Sequence, residues 1–302
     1  MANMSKLMDR GERVFKGFSI VVLTAIMLCA FLPFLLVIIA SLTDETALVR
    51  NGYSFFPKGW SLSAYTYMQQ QANIIFRAYL VSIGVTAVGT AVSLVMTAML
   101  AYPMSRRDFK LRNVFSFIVF FTMLFSGGIV PAYIMWTRIF HINNTYFALL
   151  IPNYLMSAFN VLLVRNYFKN NVPAALIESA QIDGASELRI FFRIMLPLAV
   201  PVCVTVGLFT GLAYWNDWIN ALYYVDRPQF YGIQNLLIRM MNNIQFLSSA
   251  QGAQVTSGMV LTLPSNGIRM SMAVIGILPI LIVYPFLQKY LIRGVVIGAV
   301  KG

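Results

Sequence analysis

Charge is what this sequence lacks. Only 11% of its 302 residues are charged, the acidic side chains number ten, and 59% of the chain is hydrophobic. With a mean hydropathy of +0.74, a soluble domain hiding one core behind a charged surface is excluded. Cysteine occurs twice and histidine once. Cys29 and Cys203 both fall inside apolar runs, which argues against a disulfide framework or a metal site and leaves them as lipid-facing or packing residues. His141 sits between two such runs and reads as a solvated or interfacial side chain. No G-x-x-x-x-G-K-[ST] phosphate loop is present, so ATP hydrolysis by that route is not expected. H-E-x-x-H, C-x-x-C and G-x-S-x-G are missing as well. The chain is therefore expected not to be an enzyme and to bind no cofactor or metal of its own.

What is present is a series of long uncharged runs. Crossing a hydrocarbon layer of about 30 Å takes about 20 helical residues. Six runs meet that need: Phe18 to Leu42, Ala78 to Tyr102, Asn113 to Thr137, Ile142 to Val164, Leu196 to Asn216 and Met270 to Gln288. Lipid offers no partner for backbone N–H and C=O groups, so such runs are expected to be helices. The first run is longer than the apolar part of a signal peptide and lacks a small-residue cleavage site behind it, so it reads as retained.

A net charge of +12 raises the question of nucleic acid, and the placement of the basic residues answers it. Lys6, Arg10, Arg13 and Lys16 precede the first run. Arg106, Arg107, Lys110 and Arg112 lie between the second and third, and Arg165, Lys169, Arg189 and Arg193 between the fourth and fifth. Lys289, Arg293 and Lys301 come after the last. The opposite loops share the rest thinly: Arg50, Lys58, Arg77, Arg138, Arg227, Arg239 and Arg269. The positive-inside rule then predicts an all-α integral membrane protein with six transmembrane helices and both termini cytoplasmic, and no role in nucleic-acid binding. The chain then has three parts: a cytoplasmic N-terminal segment 1–17, a membrane domain 18–290, and a cytoplasmic tail 291–302.

One cytoplasmic stretch, 166–197, is unlike the rest, since it carries Glu178, Asp183 and Glu187. Pro173 suits the first turn of a helix, where its missing N–H costs nothing. Ala174, Ala175, Leu176 and Ala180 continue that helix. Gly184 can take the left-handed conformation that closes it, and Asp183 or Ser186 can cap the next helix. Leu188, Phe191, Phe192 and Met195 then recur at i, i+3, i+4 and i+7, which predicts a second short helix packed under the bundle by that face. Pro197 is expected to break it where it meets the fifth span. By pattern alone this is either a solvated connector or a docking element.

The run Glu178-Ser-Ala-Gln-Ile-Asp183-Gly184-Ala185-Ser186, with phenylalanine and then Met195-Leu-Pro197 beyond it, resembles the EAA signature of permease subunits in binding-protein-dependent ABC importers. Ser179 stands where the signature has its first repeated alanine. Ser54-Phe-Phe-Pro57, Ala64-Tyr65, Phe125-Ser-Gly-Gly128 with Pro131, Trp215-Asn-Asp-Trp218 and Tyr284-Pro-Phe-Leu-Gln-Lys-Tyr290 extend the likeness to the maltose-type carbohydrate permeases, within them to the LplC/YtcP-like branch.

The resemblance implies that this loop is a coupling helix docked on a separate ATPase subunit, with Glu178, Ser179, Ala180, Asp183, Gly184, Ala185, Phe191 and Pro197 as its working residues. It implies a heterodimer with a second, homologous permease subunit, two ATP-binding cassette subunits that use ATP and Mg, and an extracellular lipid-anchored substrate-binding protein. It implies location in the bacterial plasma membrane among membrane lipids. The tail, with Arg293, Lys301 and Gly302, is expected to reach the ATPase pair. The loop from Ala221 to Ile268 is expected to approach the binding protein or to cap the bundle.

Polar and aromatic groups inside spans are costly in lipid and tend to face the bundle interior. Asn153, Tyr154 and Asn160 in the fourth span, and Thr205, Thr210, Tyr214, Trp215 and Asn216 in the fifth, would suit a carbohydrate, since rings stack on sugar C–H faces and amides bond hydroxyls. The same residues also fit an interfacial belt and backbone-bonded threonines. Asp217 reads as interfacial, not as a buried proton relay. The expected cargo is an oligosaccharide. The alternative is an amino acid or polyamine, which the lack of a buried acidic cluster disfavours. A membrane-embedded enzyme or a standalone channel has no visible constellation to support it.

Overall fold

In a computed structural model, residues 10–247 and 265–299 are described. They form helices and connecting turns, with one isolated antiparallel bridge, Thr43 to Trp60, among the described residues. The chain divides into two compact units, one comprising its N-terminal part to Ala72 with Met241–Leu278, the other Asn73–Met240 with the part from Pro279 onward.

In the first unit, α1 (Arg10–Ser41) runs 32 residues and exposes Phe18, Leu23, Ile26 and Phe31. A soluble helix would hide these side chains, and their exposure marks a surface meant for lipid or another chain. After it, α2 (Glu45–Asn51) is capped by Asp44, whose carboxylate accepts the Thr46 N–H at 3.0 Å, and α3 (Ser63–Gln70) comes next. The Glu45 carboxylate accepts the Asn266 and Gly267 N–H groups at 3.0 and 2.9 Å. It thus holds negative charge against the N-terminus of the last helix, where such charge is favoured.

The second unit starts in α4 (Ala72–Ser105). The third apolar run is not one straight helix. It bends by 111° between α5 (Arg112–Leu124) and the stretch Ile129–Ile139, which opens with α6 (Ile129–Ile134) and widens into a π turn at Met135–Ile139. Gly127 and Gly128 supply the break, with φ +83 at Gly128.

The fourth run departs furthest from expectation. A short α7 (Phe147–Leu150) ends before Pro152, and the chain resumes as α8 (Ala158–Asn171). Pro152 supplies no N–H, and Asn153 takes a left-handed φ of +68. The carbonyls this break frees are bonded by side chains. Leu150 O accepts the Tyr214 hydroxyl at 2.7 Å, Pro152 O accepts Asn220 Nδ2 at 3.0 Å, and Tyr154 O accepts the Ser93 hydroxyl at 3.4 Å. Unwound backbone at membrane depth is tolerated only when partnered in this way.

Next come α9 (Ala174–Ile182), α10 (Glu187–Leu198) and α11 (Val200–Trp215), the last two bent by 79°. The bend falls at Ala199, whose φ of −90 and ψ of 3 interrupt the helix, and not at Pro197 as expected. Pro201 just beyond it withholds the N–H that would have carried the helix through. In the expected long outer loop the described residues include α12 (Ile219–Tyr224), a 3-10 turn at Pro228–Phe230, and α13 (Ile233–Leu247). The last helix, α14, spans Ser265–Ala299.

By length and composition, three described helices can cross a membrane: Val14–Ser41, Ala72–Ser105 and Ser265–Pro285. Each bent pair taken as one span raises the number to five. Contact between α4 and α11 uses small residues, as helix pairs in lipid do. A Cβ on Gly89 would lie 2.5 Å from the Tyr214 ring, and one on Gly207 would lie 3.2 Å from Leu94.

Candidate functional site

Helix α9 starts one residue after Pro173, which occupies its N-cap position. Its other end closes on Gly184, at φ +73. The Ala185 N–H reaches back to Ala180 O at 2.9 Å and the Gly184 N–H to Gln181 O at 3.0 Å, the paired bonds of a Schellman closure. Asp183 occupies the C-cap position. Ser186 opens α10 with an extended backbone and no side-chain cap bond.

The closure divides the loop into two faces. Glu178, Ser179, Asp183 and Gly184 are exposed, and between them Ile182 is 86% exposed. Ala180, Ile190, Phe191 and Met195 are buried, sharing a core with Ala98, Ala101 and Met104 of α4, Val161, Val164 and Phe168 of α8, and Val202 and Val206 of α11. Ala185 packs at its edge. The expected apolar face is corrected in part. Leu188 and Phe192 are exposed, because Phe191–Met195 winds as a π turn and its wider pitch rotates Ile190 inward in their place.

A polar cluster that the motif does not include ties this loop to α4. The Glu187 carboxylate accepts the Tyr102 hydroxyl and Gln181 Nε2 at 3.1 Å, and pairs with Arg106 Nη2 at 3.6 Å. Arg106 also grips Asp108 through two parallel bonds of 2.9 and 2.7 Å. That grip holds the Asp108 carboxyl below its usual range and the Arg106 guanidinium above its own.

Most of the residues expected to line a path converge around the break before α8. Asn153, exposed, donates to Asn220 Oδ1 at 2.8 Å. Asn160 Nδ2 donates to the Thr210 hydroxyl at 3.2 Å, and both side chains are buried. The Tyr154 and Tyr214 rings meet edge to face at 5.5 Å. Trp215 stacks on Tyr79 at 6.3 Å. Two others turn elsewhere: Asn216 bonds Leu212 O at 2.9 Å, and Thr205 bonds Pro201 O at 3.1 Å. Arg293 lies in α14, its side chain outside those described, and Lys301 and Gly302 lie outside the described residues. Pro197 and Phe191 remain within α10, Phe191 buried and Pro197 exposed.

Asp217 lies just beyond α11 and caps α12, its Oδ1 accepting the Ile219 and Asn220 N–H groups at 3.1 Å each. Burial nonetheless pushes its carboxyl up to about 6, the bonds from Asn220, Ile219 and Tyr154 opposing that rise. A carboxyl raised on folding stabilises the fold fully below its unfolded value, and this contribution is lost as pH rises through about 6. Asp217→Asn keeps an acceptor for both N–H groups and removes the charge. It is expected to raise the thermal midpoint of the detergent-solubilised chain at pH 8, by no more than about 3 kcal/mol of stability. It should also flatten the dependence between pH 4 and 6.5. A variant less stable than the parent at pH 8 would contradict this.

Glu187, Arg106, Tyr102 and Asp108 were not singled out as site residues by sequence reasoning, nor were Asn220 and Ser93. Glu187 gave one signal, being one of ten acidic residues in an apolar chain. Its partner Tyr102 lies 85 residues away, a pairing that a single sequence does not disclose.

Apolar helices that expose their side chains, together with a polar loop whose base is sunk in their core, define an all-helical membrane protein. Among the described residues there is no cluster able to hold a metal ion. The family model for the binding-protein-dependent transport system inner membrane component matches residues 93–297, and the chain belongs to this family. It is 38% identical over 293 residues to protein LplC of Bacillus subtilis (strain 168), covering 97% of each chain. It is 38% identical to the polygalacturonan/rhamnogalacturonan transport system permease protein YtcP of the same organism, covering 91% of this chain and 94% of that one. Among solved structures, it resembles a chain of a bacterial ABC transporter involved in the import of the acidic polysaccharide alginate. There the TM-score is 0.78 at 28% identity, over 94% of this chain and 99% of that one. The chain is thus a permease subunit in the inner membrane, not itself an enzyme, and ATP is hydrolysed by ATPase partners.

Proposed function

We propose that this permease forms half of the translocation path of an importer for an oligosaccharide, and that the Schellman-closed loop 166–197 receives the work of ATP hydrolysis. The observation that carries the second part is the division of that loop. Ile182 is exposed at its tip between Glu178 and Asp183, while Ile190, Phe191 and Met195 are sunk in the core. An exposed carboxylate offers a charge-assisted contact to a basic side chain of an ATPase. Rigid packing beneath it carries displacement into α11.

Six spans with both termini cytoplasmic are our reading of the topology. It is supported by the loop distribution of basic residues, with the broken run Ile142 to Val164 as the fourth crossing. The parts are then the N-terminal segment 1–17, the membrane domain 18–290 and the tail 291–302, with Arg293, Lys301 and Gly302 set toward the ATPase pair. The partners are a second, homologous permease subunit, two ATP-binding cassette subunits and a lipid-anchored binding protein.

Carbohydrate cargo is supported by the relatives, one named for polygalacturonan and rhamnogalacturonan, another involved in alginate import. It is also supported by the aromatic, amide and hydroxyl groups of Asn153, Tyr154, Asn160, Thr210, Tyr214 and Trp215, which we assign to the path. Discontinuous helices are where membrane transporters place substrate, and Asn153 and Tyr154 lie in such a break. Titrating the cognate binding protein with neutral oligosaccharides, oligogalacturonates, amino acids and polyamines tests the cargo. Tight binding of an oligosaccharide is expected; tight binding of an amino acid or polyamine alone would overturn it.

A further inference from the structure

We propose that Glu187 is a positioning residue for transport, tying the coupling loop to α4 so that motion received at Ile182–Gly184 reaches α4 as well as α11. This rests on the loop's role as the element facing the ATPase. Three observations carry it. Glu187 binds both sides at once: Gln181 of α9 at 3.1 Å on the loop, and Tyr102 and Arg106 at the end of α4. The two ion pairs among the described residues both belong to Arg106, whose side chain is only 10% exposed and whose Nη1 is buried with no acceptor among the described residues. Asp108 fixes its orientation from the other side.

The third observation is a cleft of about 440 Å³ beside this cluster, lined by Met99, Pro103, Phe109, Leu188 and Phe191. Apolar packing between loop and α4, through Ala98, Ala101 and Met104, does not fill this cleft, whose wall also includes Tyr102, Arg106, Asp108 and Glu187, so at that edge the polar link joins the two. The distinction matters mechanically. Apolar packing and charge-assisted bonds both resist separation, but the bonds are directional and fix the register of the loop on α4. The covalent route to α11 passes through the 79° bend; the Glu187 link gives α4 a direct hold on the loop.

The test uses the assembled transporter in proteoliposomes, with uptake and ATP hydrolysis measured on the same vesicles and normalised to assembled complex. Glu187→Ala is expected to keep ATP hydrolysis near the parent rate while uptake per ATP falls about fivefold. Glu187→Gln, which still accepts from Tyr102, should restore most of that loss. Tyr102→Phe, which removes one hydroxyl, should lower the ratio alone and add nothing on a Glu187→Ala background. Unchanged uptake per ATP in Glu187→Ala, or uptake and hydrolysis falling in proportion, would overturn the proposal. Absence of ATP-driven uptake by the parent complex would instead count against the proposed function.

Discussion

Replacing Gly184 by valine is expected to cut ATP-driven uptake more than tenfold while leaving the chain in the membrane. Gly184 sits at φ +73 with open space where a Cβ would go, so the penalty is one of conformation and not of crowding. A left-handed residue costs roughly 1–2 kcal/mol for an L side chain, and more for a β-branched one. Leaving that conformation breaks the bonds to Ala180 and Gln181 and swings Ile182 and Asp183 away from their present position. Core residues Ile190, Phe191 and Met195 are untouched, so folding should survive. Gly184→Asn provides the control, since asparagine tolerates the left-handed region, and it should keep most of the uptake. Equal loss in the asparagine and valine variants would argue against this role of the turn, as would no loss in either.

A second substitution should act on the fold itself. Gly89→Ala places a methyl group 2.5 Å from the Tyr214 ring, closer than any real contact. Overpacking of this kind typically costs about 1–3 kcal/mol. Tyr214 cannot simply swing aside, because its hydroxyl bonds Leu150 O at 2.7 Å and so closes the break before α8. We expect the variant to accumulate poorly and to melt early in detergent. Tyr214→Leu on the same chain should recover part of the loss by making room. Normal accumulation and melting of Gly89→Ala would show that α4 and α11 do not approach as described.

The fold was legible in proportion to how much it rests on composition. Long apolar runs match the membrane-crossing stretches Val14–Ser41, Ala72–Ser105 and Ser265–Pro285 of α1, α4 and α14 to within several residues, because hydrocarbon thickness sets their length. The bends at Gly127–Gly128 and at Pro152–Asn153 are not foreshadowed as breaks of whole spans, and the one at Ala199 is expected two residues earlier, at Pro197. A run without charge looks continuous, yet a proline or a left-handed residue interrupts it wherever neighbouring side chains can bond the freed carbonyls. Ser93, Tyr214 and Asn220 do so across long stretches of sequence, and such pairings are tertiary facts.

The coupling loop shows the same split. Gly184 as a helix closure was readable from local chemistry. Its buried side was misassigned at Leu188 and Phe192, because a helical period of 3.6 does not anticipate the π turn at Phe191–Met195. Asn160 and Thr210 were picked out as polar groups in lipid. Their bond to each other shows that such groups also hold helices together, so a residue can serve the path and the packing at once.

Cross-linking tests the central claim most directly. With Cys29 and Cys203 replaced, Ile182→Cys, at a side chain 86% exposed on the coupling loop, and Phe56→Cys, at one 90% exposed in the Ser54–Pro57 segment, are each assembled with the ATPase subunits and treated with a short bifunctional thiol reagent. The account predicts an adduct with an ATPase subunit from Ile182→Cys, its yield changing with ATP, and none from Phe56→Cys. An adduct from Phe56→Cys with none from Ile182→Cys would contradict both the topology and the role of the loop.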